Sequence, residues 1–170
     1  MDAVARLEGA AIIRAIKDSG IEFVIALPDI VTSDHLLWPL SADPELRLIR
    51  ISKEDEGISI CTGLAFCDKR ALLLIQHTGL LDSMNALRAI GVEYAMPVCL
   101  MVGLQGKEPE RLPSQSKHYG VRIVEPLLDV MGVEHCLIQE PGDVERIGPA
   151  IDKAYGDSAP MVFLIGRSPS

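Results

Sequence analysis

A doubly wound, three-layer α/β domain with a mainly parallel six-stranded sheet is the fold class predicted for this 170-residue chain. Three observations predict it. Six short apolar runs recur along the sequence, most of them continuous rather than alternating, as strands covered on both faces require. The intervals between the runs are long enough for crossover helices. Composition supplies the core: 48% of residues are hydrophobic and 24% charged, with a positive mean hydropathy, so disorder as the main state is excluded. A single domain spanning 1–170 is expected at this length.

In chain order, the first element is an amphipathic helix at 4–18. It carries acids as well as bases, unlike a secretory signal or a transit peptide. Strands follow at 22–27 (EFVIAL), 46–51 (LRLIRI), 71–76 (ALLLIQ), 97–102 (PVCLMV), 134–138 (EHCLI) and 161–165 (MVFLI). Helices are predicted between them at 34–40, 54–66, 80–90, 123–131 and 144–155. Pro149 argues against the last, because proline beyond the first turn removes a backbone hydrogen bond. The polar, Gly- and Pro-rich stretch 103–120 (GLQGKEPERLPSQSKHYG) is the longest predicted loop, and long loops in compact domains often serve as lids or binding segments.

Charge narrows the function. Lys and Arg number 16 against 24 Asp and Glu, a net charge of −8, and aromatics make up 4% of the chain. A nucleic-acid surface needs a basic stripe and usually stacking rings, so that class is excluded, whereas a small anionic ligand remains compatible. Cys61, Cys67, Cys99 and Cys136 form no C-x-x-C pair, and three lie in apolar runs, so free buried thiols are expected rather than disulfides or a zinc site. No metal is expected on this chain's own residues. No apolar run approaches a membrane span, and a soluble, cytoplasmic protein is expected.

In an open α/β sheet, ligands lie outside the carboxyl ends of the strands. The polar residues there are Pro28 and Asp29 after the first run, Ser52 to Glu56 after the second, Gln76, His77, Thr78 and Gly79 after the third, and the 103–120 loop after the fourth. Lys53-Glu54-Asp55-Glu56 opens a helix continued by small and aliphatic residues, including Gly57 and Gly63. Each glycine costs a helix roughly 1 kcal/mol relative to alanine, which implies close approach of a sheet, another backbone or a flat ligand. Asp55 and Glu56 are read as solvent-facing first-turn acids, Asn85 as a surface or packing amide, and His35 and His135 as structural.

Glu54 with Gly63 nine positions on resembles the glutamate motif of the pyrimidine-binding domain of thiamine diphosphate enzymes. The resemblance extends to Leu27-Pro28-Asp29, to Gln76-His77-Thr78-Gly79-Leu80 with Asn85, and to a G-x-x-G turn at 103–106 followed by Gln115 and Gly120. This ordered set is similar to sulfopyruvate and phosphonopyruvate decarboxylases over nearly the whole chain. It implies a flavodoxin-like, thiamine diphosphate-binding fold and the alpha subunit of a 2-oxo acid decarboxylase. Under that resemblance, Glu54 hydrogen-bonds the aminopyrimidine ring and promotes its imino tautomer. Pro28, Asp29, Gln76, Thr78 and Gly79 contribute to the cofactor site. His77 and His118 are the candidate proton donors, and Lys107, Arg111 and Gln115 are the candidate substrate ligands. One departure bears on the substrate: the related decarboxylases tend to carry arginine in the turn where this chain has Gln105.

The resemblance also implies what must come from elsewhere. Diphosphate and Mg²⁺ are held in this family by a G-D-G motif with a downstream Asn. Gly142-Asp143-Val144 and Gly156-Asp157-Ser158 do not fit it. The expected partner is therefore a second polypeptide carrying that domain, in a hetero-oligomer with at least two copies of each chain. Two alternatives stay open at this point: a thiamine diphosphate enzyme for an uncharged 2-oxo acid, and a non-catalytic scaffold or regulatory subunit.

Overall fold

The computed structural model describes residues 6–170, so positions 4 and 5 of the first predicted helix lie outside it. All six apolar runs form strands: β1 (Phe23–Ala26), β2 (Arg47–Arg50), β3 (Ala71–Gln76), β4 (Cys99–Gly103), β5 (Glu134–Ile138) and β6 (Met161–Ile165). They pair in the order β2-β1-β3-β4-β6-β5, and every pairing is parallel.

The helices are α1 (Gly9–Asp18), α2 (Trp38–Ala42), α3 (Glu54–Ala65), α4 (His77–Asp82), α5 (Met84–Ala86), α6 (Tyr119–Arg122), α7 (Val124–Met131) and α8 (Ile147–Asp157). Side chains alternate across each strand and so feed two cores. Leu72 and Leu74 of β3 join Ile12, Ile16, Leu40, Ile147 and Ile151 on the face covered by α1, α2 and α8. Leu73 and Ile75 join Ile58, Leu80, Leu87, Val124 and Leu128 on the face covered by α3 to α7. Leu72, Leu73 and Leu74 are each at most 1% exposed. Burial of such side chains contributes roughly 1.5–3 kcal/mol apiece, so β3 is a firm base for whatever follows it.

The connections β1 to β2 and β5 to β6 step one way along the sheet and use the first face. The others step the opposite way and use the second. A single crossover hand requires that correlation. Strand order therefore reverses at β1, which opens a crevice between the carboxyl ends of β1 and β3.

Four helices differ in detail from the sequence reading. The first begins at Gly9, and Arg6 to Glu8, inside its expected limits, are not helical. The helix predicted at 80–90 begins at His77 and is interrupted at Ser83, whose hydroxyl donates to the Gly79 carbonyl at 2.7 Å. It resumes as α5 and ends in wider π turns at Leu87–Glu93. A π turn at Ser33–Leu37 likewise leads into α2. The objection to the last helix falls away. A 3-10 segment at Pro141–Arg146 precedes α8, so Pro149 lies in the first turn of α8, where an amide has no helical partner to lose. Of the two α3 glycines, Gly57 packs on the sheet, where a Cβ would stand 3.1 Å from Ile51 Cδ1 and closer to Leu73. Gly63 faces open space.

All four cysteines are free, with Cys61, Cys99 and Cys136 buried and Cys67 exposed. Asp68, Ala95 and Ser158 hold left-handed backbone, with φ of 56°, 50° and 53°, just past helix ends. The outer strands carry charge: Arg47 and Arg50 are exposed on β2, and Glu134 on β5 pairs with Lys153 at 2.6 Å. No helix of the described residues is long and apolar enough to cross a membrane.

Candidate active site

Four glycines at the carboxyl edge of the sheet, Gly79, Gly103, Gly106 and Gly120, each face one of the predicted polar residues. A Cβ on Gly79 would stand 2.5 Å from Glu54 Cδ and nearer still to Cγ and Oε1. One on Gly103 would lie 2.7 Å from Asp29 Oδ1. One on Gly106 would meet the His118 ring at 3.0 Å, and one on Gly120 would meet His77 Nε2 at 3.2 Å. Residues from β1, β2, β3 and β4 thus converge at the β1/β3 reversal, and the missing side chains make the room they occupy.

Glu54 is the first residue of α3, preceded by Lys53 in extended conformation. It is half-buried, and among the described residues its carboxylate takes part in no hydrogen bond or ion pair. Its neighbours are engaged. Asp55 pairs with Lys53 at 3.1 Å, Lys53 reaches Asp82 at 3.4 Å, and Glu56 accepts the Ser52 amide at 3.3 Å. Both are first-turn acids, as expected; Glu56 faces solvent, whereas Asp55 is half-buried with an Oδ1 that has no partner among the described residues.

His77 opens α4, is 6% exposed, and has an Nδ1 without a partner. Burial pushes its imidazole below the ordinary histidine value, with a smaller contribution from His118; the Gly103 carbonyl and Asp29 act the other way. At neutral pH the ring is therefore mainly uncharged. His118 is exposed, and its amide is fixed by the Ser116 hydroxyl at 3.1 Å.

The remaining predicted residues have distinct fates. Asp29 is buried and caps its own turn: Oδ1 accepts the Val31 and Thr32 amides at 2.6 and 3.1 Å, and Oδ2 accepts the Thr32 hydroxyl. It shapes the crevice without offering a free oxygen. Pro28 and Thr78 are exposed. Gln76 donates to Thr78 Oγ1 at 3.1 Å and to Gln105 Oε1 at 2.7 Å, so Gln105 latches the ends of β3 and β4 together. Arg111 donates to the Gln115 carbonyl at 3.1 Å on an exposed surface. Lys107 is 8% exposed, and burial lowers its pKa.

The 103–120 stretch is built rather than loose. The Glu108 carboxylate accepts from the Ser116 hydroxyl at 2.8 Å and the Lys117 amide at 3.1 Å, and Arg122 donates to the Ser116 carbonyl at 2.9 Å. A hydrogen bond from its own amide, together with these donors, holds the Glu108 carboxyl down at about 2. A short 3-10 turn, Pro113–Gln115, completes the stretch.

These residues suit the pyrimidine end of thiamine diphosphate. An unpaired carboxylate, an orphaned buried imidazole nitrogen and a glycine-cleared surface match a flat ring bearing an amine. Among the described residues no group of three or more His, Cys, Asp or Glu is placed to bind a metal. A surface cleft of about 480 Å³ between Arg70, Pro97, Asp152 and Tyr155 lies at the opposite edge of the sheet, away from this chemistry. The polar residues after β5 and β6, among them Gln139, Glu140 and Arg167, were not predicted; carrying the strand-end rule to the sixth strand finds them.

No family model matches the chain. Among curated proteins it is similar to the sulfopyruvate decarboxylase subunit alpha of Methanocaldococcus jannaschii, 31% identical over 155 residues covering 91% of this chain and 90% of that one. The subunit of the same name from Methanothermobacter thermautotrophicus is 30% identical over 159 residues, covering 93% and 94%. The likeness to the Methanococcus maripaludis subunit is 31% over 105 residues, 62% of each chain. Among solved structures, a 2-oxoglutarate:ferredoxin oxidoreductase from Magnetococcus marinus superposes with a TM-score of 0.69 at 15% identity, over 93% of this chain. The chain spans 28% of that protein, and the fold is what the two share.

Proposed function

The chain belongs to the family of sulfopyruvate decarboxylase alpha subunits, and on that premise we propose that it is the pyrimidine-binding chain of a two-chain, thiamine diphosphate- and Mg²⁺-dependent decarboxylase. The substrate is a 2-oxo acid with a second anionic group, such as 3-sulfopyruvate or 3-phosphonopyruvate, and the products are the aldehyde and carbon dioxide. The observation that carries this reading is the half-buried, unpartnered Glu54 carboxylate seated on Gly79 at the sheet reversal.

When bound, thiamine diphosphate supplies the electron sink that lets carbon dioxide leave. The chain's own residues divide the remaining work. Glu54 holds the pyrimidine end by a hydrogen bond and exchanges a proton there, and Gly79 leaves the space its carboxylate needs. Gln76, Thr78 and Pro28 line the approach, while Asp29 sets the turn that places Pro28. His77 and His118 are the candidates to hand a proton to the substrate carbon after carbon dioxide has gone; His77, mainly neutral and with an Nδ1 lacking a partner, must first take up that proton. Mg²⁺ and the diphosphate are held by a second polypeptide, in a cytoplasmic hetero-oligomer with at least two copies of each chain. One observation favours a second substrate class. Gln105 offers a neutral amide beside Gln76, which suits an uncharged 2-oxo acid.

The test is release of carbon dioxide by the chain assembled with its partner, from 3-sulfopyruvate, 3-phosphonopyruvate and pyruvate side by side, with and without thiamine diphosphate and Mg²⁺. Turnover is expected to need both, and Glu54→Gln to lower it about 10²–10⁴-fold, as for loss of a proton-transfer group. Unchanged turnover in that variant removes Glu54 from the mechanism.

A further inference from the structure

The strand order implies a second crevice at the carboxyl edge of the sheet, between β4 and β6. The chain leaves β4 over the α3-to-α7 face. The chain leaving β6 turns to the opposite face, where the Ser170 amide donates to the Leu7 carbonyl at 2.9 Å. Neighbouring strands whose exits diverge leave a crevice between them. Gly103 and Ile165 are register partners, and the Leu104 amide donates to the Ile165 carbonyl at 3.0 Å, closing its floor.

Two cations follow the ends of these strands. Lys107 lies four residues past the end of β4 and Arg167 two past the end of β6. Lys107 is 8% exposed, yet its ammonium makes one hydrogen bond, 3.1 Å to the Glu108 carbonyl. Among the described residues no carboxylate lies within ion-pair distance of it. An ammonium carries three donors, and a buried cation without a counter-charge is unfavourable. Arg167 adds to its charge strain, and Glu108, Glu110 and Glu125 oppose it. The Arg167 side chain is 30% exposed and makes a single ion pair, with Glu140 at 3.3 Å, which leaves most of its N–H groups unused. The crevice adjoins the catalytic candidates, because Lys107 directly follows Gly106, against which the His118 ring lies.

Resting on the decarboxylase reading, we infer that Lys107 and Arg167 together receive the second anionic group of the substrate, and that Arg167 is the residue that selects for it. A guanidinium on one side and an ammonium on the other match a sulfonate or phosphonate, the first as a fork and the second as a point charge.

The experiment uses the enzyme assembled with its partner chain. Steady-state decarboxylation of 3-sulfopyruvate and of pyruvate is compared in wild type, Arg167→Gln, Arg167→Lys and Lys107→Met. Binding of 3-sulfopropanoate, which has the distal charge but no 2-oxo group, is measured by calorimetry. Arg167→Gln is expected to raise KM for 3-sulfopyruvate about 10–100-fold, to weaken 3-sulfopropanoate equally, and to alter kcat/KM for pyruvate far less; Arg167→Lys recovers part of the loss. Lys107 is buried, so its variant tests the same point only if it folds, while Arg167 at the rim keeps the test open. Equal losses on both substrates, or analogue affinity indifferent to Arg167→Gln, overturns the pocket. No decarboxylation of any 2-oxo acid, together with analogue binding that Arg167→Gln weakens, overturns the decarboxylase reading and retains the pocket.

Discussion

Gly79→Ala is the sharpest perturbation of the site, because it adds one methyl group on a buried helix. That methyl would stand 2.5 Å from Glu54 Cδ, against an ordinary carbon contact of about 3.5–4.0 Å, so the carboxyl group must retreat by about 1 Å or more. Displacements of that order cost reactions roughly 10²-fold, or about 2.7 kcal/mol of barrier. Stability responds differently. Alanine is favoured over glycine in a helix by about 1 kcal/mol, and the crowded atoms belong to the flexible end of Glu54. Unfolding free energy is therefore expected within about 1 kcal/mol of wild type while kcat falls about 100-fold. The assay is decarboxylation by the assembled enzyme, paired with urea unfolding, in Gly79→Ala, Glu54→Gln and the double variant. If the methyl acts through Glu54, it adds almost nothing once Glu54 is Gln. Full activity in Gly79→Ala, or strictly additive losses, would refute the reasoning.

Three further outcomes are expected. Ala95→Gly, at φ 50° with an exposed side chain, should stabilise the fold by about 0.5–1 kcal/mol, since the left-handed penalty of roughly 1–2 kcal/mol outweighs the added unfolded-state freedom; a lower urea midpoint would contradict this. His77 should titrate below the ordinary histidine value of 6.5 by NMR, because burial disfavours its charged form. As pH falls below that value the unfolded chain takes up the proton first, so stability is lost there and is fully present above it; a midpoint above 6.5 would show that burial does not dominate. Cys67 alone should react quickly with a thiol reagent in the native chain at pH 8. Cys61 and Cys99 are shielded and their thiols pushed up by burial, Cys99 to about 12, so rapid labelling of either would mean the core opens.

The strands were legible because a strand buried on both faces leaves a continuous apolar run, and β3 kept its predicted limits for that reason. Local signals misled where tertiary packing decides. His77-Thr78-Gly79 reads as a turn, yet it is the first turn of α4, and Gly79 is there to admit Glu54 rather than to punctuate. Pro149 looked like a breaker only because the preceding 3-10 segment hides the true helix start. The internal ties of the 103–120 stretch, from Glu108 to Ser116 and Lys117, were not legible in its polarity. Glu54, His77 and His118 were candidates from their places after strand ends together with the family resemblance. Except for Gly106 beside His118, which shares its stretch, the glycine partners follow other strands, so pairs such as Asp29 with Gly103 were not legible from spacing.

The charged outer strands set the route by which copies or partners assemble. A strand that joined β2 would have to lie against exposed Arg47 and Arg50, and one that joined β5 would have to displace the Glu134–Lys153 pair. Both edges thus resist continuation of the sheet from chain to chain. Association is directed instead to the helical layers and to the carboxyl rim, where Ile30, Leu112 and Tyr119 are exposed around the catalytic candidates. Under the proposed function, a chain docked there would cover apolar surface and shield Glu54 from water in the same step, tying the onset of catalysis to assembly.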